Sequence, residues 1–196
     1  MNNKTLFISD VHLGSRGSNP KELYKVLNKE QPKEIFLVGD IIDGWLLKRR
    51  FYWTRESTDI IRKLLAYSNK GTKIVYITGN HDDFLRNYSP QDFGKIEIVD
   101  EYQWNSYLIT HGDKYDGVVQ LKWLGIIGSY GYELALIIDR TLKKFGYKKS
   151  FSKMVKDKVK SAVKFITDFE KQLAYQAKSK NCIGVICGHI HKPENK

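Results

Sequence analysis

The chain has 196 residues, 41% of them hydrophobic and 28% charged, the balance of a soluble globular protein able to bury one substantial core. No apolar run reaches membrane-spanning length, and the first residues lead straight into TLFIS without the apolar stretch and cleavage site of a secretory signal, which points to the cytoplasm. The 33 basic residues against 22 acidic ones give a net charge of +11, which favours an anionic partner: nucleic acid, a nucleotide or an acidic membrane surface.

In chain order, short β-branched runs alternate with helical patterns, as in parallel βαβ construction. Strands are predicted at 5 to 9, 34 to 38 and 73 to 78, with helices near 20 to 30 and 54 to 69 between them. A strand-like stretch follows at 102 to 109, and a last strand at 182 to 187. Between them, two long helices are predicted at roughly 118 to 145 and 152 to 179, an insertion too large for a connecting loop. Cys182 and Cys187 lie five positions apart in the last strand, roughly 16 Å in extended chain, and read as buried, reduced thiols beyond disulfide reach.

Each predicted strand ends in a polar cluster: SDVH, GDIID, GNHD, THGD and GHIH. The carboxyl ends of strands are where open α/β sheets bind ligands, so these clusters are expected to converge. All five histidines, His12, His81, His111, His189 and His191, fall in them, beside Asp10, Asp40, Asp43, Asn80, Asp82 and Asp113. One histidine so placed reads as a hydrogen-bonded structural residue; five favour a polynuclear metal site. Imidazole and carboxylate ligands together suit Mn, Fe, Zn or similar divalent ions. The one-residue spacing in Asp10-Val-His12 and His189-Ile-His191 puts both side chains on one side of an extended segment. Asp40, after the most apolar strand, is the natural carboxylate to bridge two cations about 3.5 to 4 Å apart.

The ordered set DxH, GDxxD, GNHD, HGD and GHxH resembles the calcineurin-like metallophosphoesterases. The resemblance implies an α/β fold, a four-layer α/β/β/α sandwich, with core 1–117 and 181–196 and a helical cap insertion at 118–180. It implies that one ion takes Asp10, His12, Asp40 and His191, and the other Asp40, Asn80, His111 and His189. It also implies attack on phosphorus by a hydroxide held between the two ions, Mn²⁺ foremost with Fe, Zn or Mg as alternatives. His81 is then left as a non-ligand that donates to the leaving oxygen, with Asp82 as its acidic partner, while Asp43 and Asp113 hold ligand rings in place.

The insertion carries the charge. From 141 to 180 there are 12 lysines and 3 acids, and Lys153, Lys156, Lys160, Lys164, Lys171 and Lys178 form one stripe opposite Val155, Val159, Ile166, Phe169 and Leu173. Such a helix reads equally as a solvated surface helix and as a face for phosphates or an acidic membrane. The preceding run, VVQLKWLGIIGSYGYELALII, is more apolar than one buried face needs, which suits an acyl-chain groove. Together with FISDVHLG, GDIIDGW, KVKSAVKFITDFE and ICGHIHKPE, it looks like the UDP-2,3-diacylglucosamine pyrophosphatase family of lipid A biosynthesis. That resemblance implies hydrolysis of this nucleotide-linked glycolipid to UMP and 2,3-diacylglucosamine 1-phosphate. It also implies charge recognition by Arg140, Lys153, Lys160 and Lys164, and peripheral contact with the inner membrane. His81 stands where the best-known branch carries Arg, and members continue past GHxH with further strands that these residues do not contain.

Two other readings compete. A phosphodiesterase or nuclease of the same superfamily would run a nucleic-acid backbone along the basic helix, but no aromatic residues interleave with its lysines. A non-catalytic scaffold would have lost metal ligands, whereas every expected ligand type is present here.

Overall fold

The computed structural model describes residues 4–116, 169–191 and 195. Two compact units divide the chain, Met1–Asp113 with Gln176–Lys196, and Lys114–Tyr175. In the first, β1 (Thr5–Ile8), β2 (Glu34–Val38), β3 (Lys73–Ile77), β4 (Gln91–Phe93) and β5 (Ile96–Val99) form one sheet in the order β1-β2-β3-β5-β4. All neighbours are parallel except β4, which returns antiparallel on β5. A second sheet is β6 (Glu101–Trp104), β7 (Tyr107–Thr110) and β8 (Gly184–Ile186), with β7 antiparallel to β6 and parallel to β8.

The uninterrupted apolar runs of β2 and β3 follow from burial on both faces. Ile35, Leu37, Ile74 and Tyr76 join Leu27 of α1 (Pro20–Lys29) and Ile60 and Leu64 of α3 (Arg55–Asn69) in one cluster. The alternate residues Phe36, Val38, Val75 and Ile77 meet Ile109 of β7, with Tyr102, Trp104 and Ile186 packed around them. This second core holds the two sheets together through a ring cluster: Phe36 stacks on Phe7 with centroids 5.1 Å apart, and Trp104 stands edge-on to Phe7 at 5.3 Å. The Tyr67 hydroxyl pins α3 to the end of α1, within hydrogen-bond reach of both the Leu27 and Glu30 carbonyls. These are helix, sheet and sheet layers. The expected outer helical layer and cap lie outside the described residues, apart from α4 (Phe169–Ser179), which buries Leu173 and Ala177 one turn apart.

Several elements differ from the sequence expectation. The single strand expected at 102 to 109 is the β6–β7 hairpin, turned at Asn105 and Ser106, which both take positive φ (45° and 66°) as a tight two-residue turn requires. The last strand is three residues rather than six, so Cys182 and Cys187 lie outside it, and both are half-buried rather than buried. β4, β5 and the short helix α2 (Gly44–Arg49) were not expected. No described helix is long and apolar enough to cross a membrane.

Phe36 is fully buried at the meeting of both sheets. Phe36→Ala is expected to cost about 3–5 kcal/mol in a urea-unfolding experiment, with Tyr24→Ala, on the outer helix, costing clearly less.

Candidate metal centre

β1, β2, β3 and β8 stop just before their polar clusters and β7 ends on the first residue of its own, and the chain there leaves extended geometry. Asp10, His12, Asp40, His189 and His191 all adopt positive φ, between 49° and 74°. Non-glycine residues enter that region at a cost, and so many at strand ends mark a place where the fold overrides local preference. The loops after β1 and β2 run side by side, zipped by His12 N–H to Asp40 O, Leu13 N–H to Ile41 O and Asp43 N–H to Leu13 O, each 2.8 Å. Strand alternation therefore does not explain how Asp10 and His12 share a site; the left-handed turns and this backbone zipper do.

Glycines supply the room. A Cβ on Gly39 would stand 2.3 Å from His111 Nδ1, one on Gly79 would stand 2.3 Å from Asp40 Oδ1, and one on Gly188 would stand 2.5 Å from Asp10 Oδ2. Each glycine of GD, GN and GH thus admits a candidate ligand from another loop.

Asp40 lies at the centre, 2% exposed. Its Oδ1 accepts from His81 N–H at 2.8 Å, and its Oδ2 lies 3.3 Å from His111 Nε2 and 3.8 Å from His12 Nε2. Asp10, His12 and His191 form a second knot, with His12 Nε2 3.2 Å from His191 Nε2 and His191 Nε2 3.3 Å from Asp10 Oδ1. His189 donates its N–H to the Asp10 carboxylate at 3.1 Å and sets its ring 5.2 Å from that of His111. Ligand atoms of Asp10, His12 and His191, and of Asp10, Asp40 and His111, lie within 4.8 Å of one another.

Three atoms of the site, Asn80 Oδ1, His81 Nδ1 and His111 Nε2, are buried without a hydrogen-bond partner. The two that belong to expected ligands, Asn80 and His111, test whether these residues suit cations. A buried acceptor left bare costs about 1–3 kcal/mol, and a coordinate bond to a cation removes that cost. The other nitrogen of His111, Nδ1, lies 3.0 Å from the Val38 carbonyl, which fixes the ring with Nε2 toward Asp40. Burial, though opposed by Asp40, pushes the His12 imidazole down, toward the neutral form a ligand needs. Burial by itself would raise the Asp40 carboxyl, but the adjoining His111 ring and the His81 N–H outweigh it and hold the group below its usual range, ionised.

The remaining expectations divide. Asp43 caps α2 by accepting from Leu46 N–H at 2.9 Å. Its other contacts face rings, with Oδ1 3.1 Å from His81 Nδ1 and Oδ2 3.5 Å from His12 Nδ1. Asp82 was expected to be the acid beside His81, but it is fully buried and turned the other way. It accepts from Gly79 N–H at 2.5 Å, Tyr76 Oη at 2.6 Å and Ile41 N–H at 2.9 Å, and burial pushes its carboxyl up. Asp82 therefore ties β3 and two site loops together, and Asp43 stands beside His81 instead. Asp113 likewise does not hold a ligand ring; it receives Arg86 Nη2 at 2.7 Å. Arg86 also reaches Thr78 Oγ1 at 3.3 Å, joining the GNHD and HGD loops, and was missed although it is a cation in an acid-rich run. Trp45, present in GDIIDGW but given no role there, packs against the His81 ring with centroids 4.4 Å apart and planes tilted by 34°. Arg140, Lys153, Lys160 and Lys164 lie outside the described residues.

Comparison with known proteins gives the family. The model of the calcineurin-like phosphoesterase family matches residues 4–193, and the chain belongs to that family. The chain is similar to the UDP-2,3-diacylglucosamine hydrolases of Porphyromonas gingivalis (30% identity over 125 residues, 58% of this chain and 47% of that one) and Histophilus somni (29% over 139 residues, 62% and 58%). A third, from Neisseria gonorrhoeae, is 27% identical over 116 residues, covering 55% of this chain and 47% of its own. The chain spans about half the length of the curated relatives it matches. Among solved structures, Pseudomonas putida nuclease MPE matches with a TM-score of 0.34 and 21% identity, covering 52% of this chain and 50% of its own, too slight a likeness to argue from.

Replacing Asp82 with Ala strands three buried donors. Its expected effect is a loss of about 3 kcal/mol or more in chemical unfolding, with no separate effect on His81 beyond that instability. Gly188→Ala, which drives a Cβ against Asp10, is expected to weaken Mn²⁺ binding about tenfold or more in a calorimetric titration, as misplacing a ligand does.

Proposed function

We propose that this chain is a metal-dependent hydrolase that cleaves the pyrophosphate of UDP-2,3-diacylglucosamine to UMP and 2,3-diacylglucosamine 1-phosphate. The observation that carries the hydrolase is the convergence of Asp10, His12, Asp40, His111 and His191 on one small volume, with Asn80 Oδ1 and His111 Nε2 buried and unpartnered. The lipid-linked substrate is supported by the likeness to hydrolases named for it and by the apolar and lysine-rich sequence of 118–180. Asp10, His12, Asp40 and His191 would hold one cation and Asp40, Asn80, His111 and His189 the other, Mn²⁺ foremost. When bound, the pair supplies Lewis acidity and neutralises charge on the phosphoryl oxygens.

The chain's own groups do the rest. Asp40, ionised and fixed by the His81 N–H, would offer its carboxylate to both cations. His81 is not a ligand in this scheme. Its ring lies between Trp45 and the His12 ring, with Asp43 beside Nδ1, which leaves Nε2 to give a proton or hydrogen bond to the departing oxygen. Arg140, Lys153, Lys160 and Lys164 are assigned to the substrate's negative charge, and the protein to the cytoplasm beside the inner membrane.

His81→Ala is expected to lower kcat by about 10²–10⁴ while Mn²⁺ stays bound, and Asp40→Ala to lose both turnover and metal. The substrate is tested by comparing rates on UDP-2,3-diacylglucosamine, on a nucleotide sugar without acyl chains and on a generic phosphodiester, all with Mn²⁺. A large preference for the first is the expected result. Equal rates on all three would remove the lipid-linked substrate and leave a broad phosphodiesterase.

A further inference from the structure

The segment that leaves the metal centre along α2 ends in Lys48-Arg49-Arg50-Phe51-Tyr52-Trp53. This stretch is open to solvent to a degree unusual for its composition. Phe51 is 77% exposed, Leu46 38% and Tyr52 37%, and Lys48, Arg49 and Arg50 are exposed too. Arg16, from the loop after β1, sets its guanidinium 5.6 Å above the Tyr52 ring, adding another cation to the same surface. The core contact of this stretch is made by the half-buried Trp53, which joins the helix-side core and donates its indole N–H to Thr58 Oγ1 at 3.0 Å.

We propose that Leu46 and Lys48–Tyr52, with Arg16, form a contact surface for an anionic lipid bilayer. The chemistry divides by residue. Phe51 and Leu46 have no polar tip and are costly to leave in water, but they suit the boundary between headgroups and acyl chains. Tyr52 is amphipathic, as side chains at that depth are. Arg16, Lys48, Arg49 and Arg50 match the negative surface potential of acidic lipids, each adding to the attraction. A nucleic acid would also meet arginines and an aromatic ring, but the aliphatic Leu46 and the uncapped Phe51 fit hydrocarbon better than a base and phosphate.

Position gives the surface its use, and this step rests on the proposed function. α2 starts at Asp43 and Trp45, beside His81, and its six residues span about 9 Å. A bilayer touching Phe51 would thus lie within a lipid headgroup's reach of the metal centre. An acylated nucleotide could present its pyrophosphate there while its chains stay in the membrane.

The test is flotation of the full chain with phosphatidylcholine vesicles, neutral or made anionic with phosphatidylglycerol, in the absence of substrate. The expected result is binding to anionic vesicles that weakens with salt, and a drop of about tenfold or more for Phe51→Ser and for the pair Arg49→Glu, Arg50→Glu. Both variants are expected to keep wild-type rates on a water-soluble phosphodiester with Mn²⁺, which shows that they fold. Wild-type protein that floats with neither vesicle, or variants that float as well as wild type, would overturn the surface. So would variants that lose affinity for a single-stranded oligonucleotide while keeping their vesicle binding. Because no substrate is present, these outcomes are independent of whether the acylated nucleotide is hydrolysed.

Discussion

A buried carboxylate held ionised is the constraint on which the site depends. Asp40 sits at the end of the strand most enclosed by the two cores, where an unpaired charge would be strongly destabilising. It is tolerated because a backbone N–H, two nearby imidazoles and the absence of a side chain at Gly79 are all arranged around it. Those groups arrive from the ends of β1, β3 and β7, so the register of both sheets bears on one oxygen pair. Cations between these groups would turn a concentration of charge and bare lone pairs into a balanced cluster.

The supports around that centre are as informative as the ligands. Asp82 secures the GNHD turn from below, Asp43 caps α2 and faces two imidazoles, and Arg86 bridges to Asp113. Each acidic residue of the motifs thus serves a different neighbour. Asp10 and Asp40 each accept a backbone N–H from a site loop, from His189 and His81, and also face gathered imidazole nitrogens. The left-handed conformations at five candidate ligands show where the energy gained in the sheets is spent, on aiming short side chains inward from loops that would otherwise splay apart.

Much of this was legible in the amino-acid order, for physical reasons. β2 and β3 read clearly because both faces are buried and the runs IFLV and IVYI are apolar without a break. The five histidines stood out because a strand-end position is a strong constraint on where a side chain goes. The hairpin at 101–110 was hidden because its turn is Asn-Ser, with no glycine to punctuate it. β4 was hidden because all three of its residues are exposed and carry no pattern. Asp82 was misread because adjacency to His81 in sequence says nothing of direction. The chain turns between them, sending one side chain to the site and the other into the protein. Trp45 lies in the GDIIDGW run but nothing there says which ring it meets, and Arg86 carries no motif; both roles become visible only when their partners are in place.

The central claim is that these scattered imidazoles and carboxylates hold a pair of cations. The most direct measurement is an anomalous difference map from a manganese-soaked crystal, recorded on both sides of the metal's absorption edge. Two peaks about 3.5 to 4 Å apart, bridged by Asp40 and reached by Asn80 Oδ1 and His111 Nε2, are the predicted result. A map with no peak at Asp40, or with manganese held only by residues elsewhere, would contradict it.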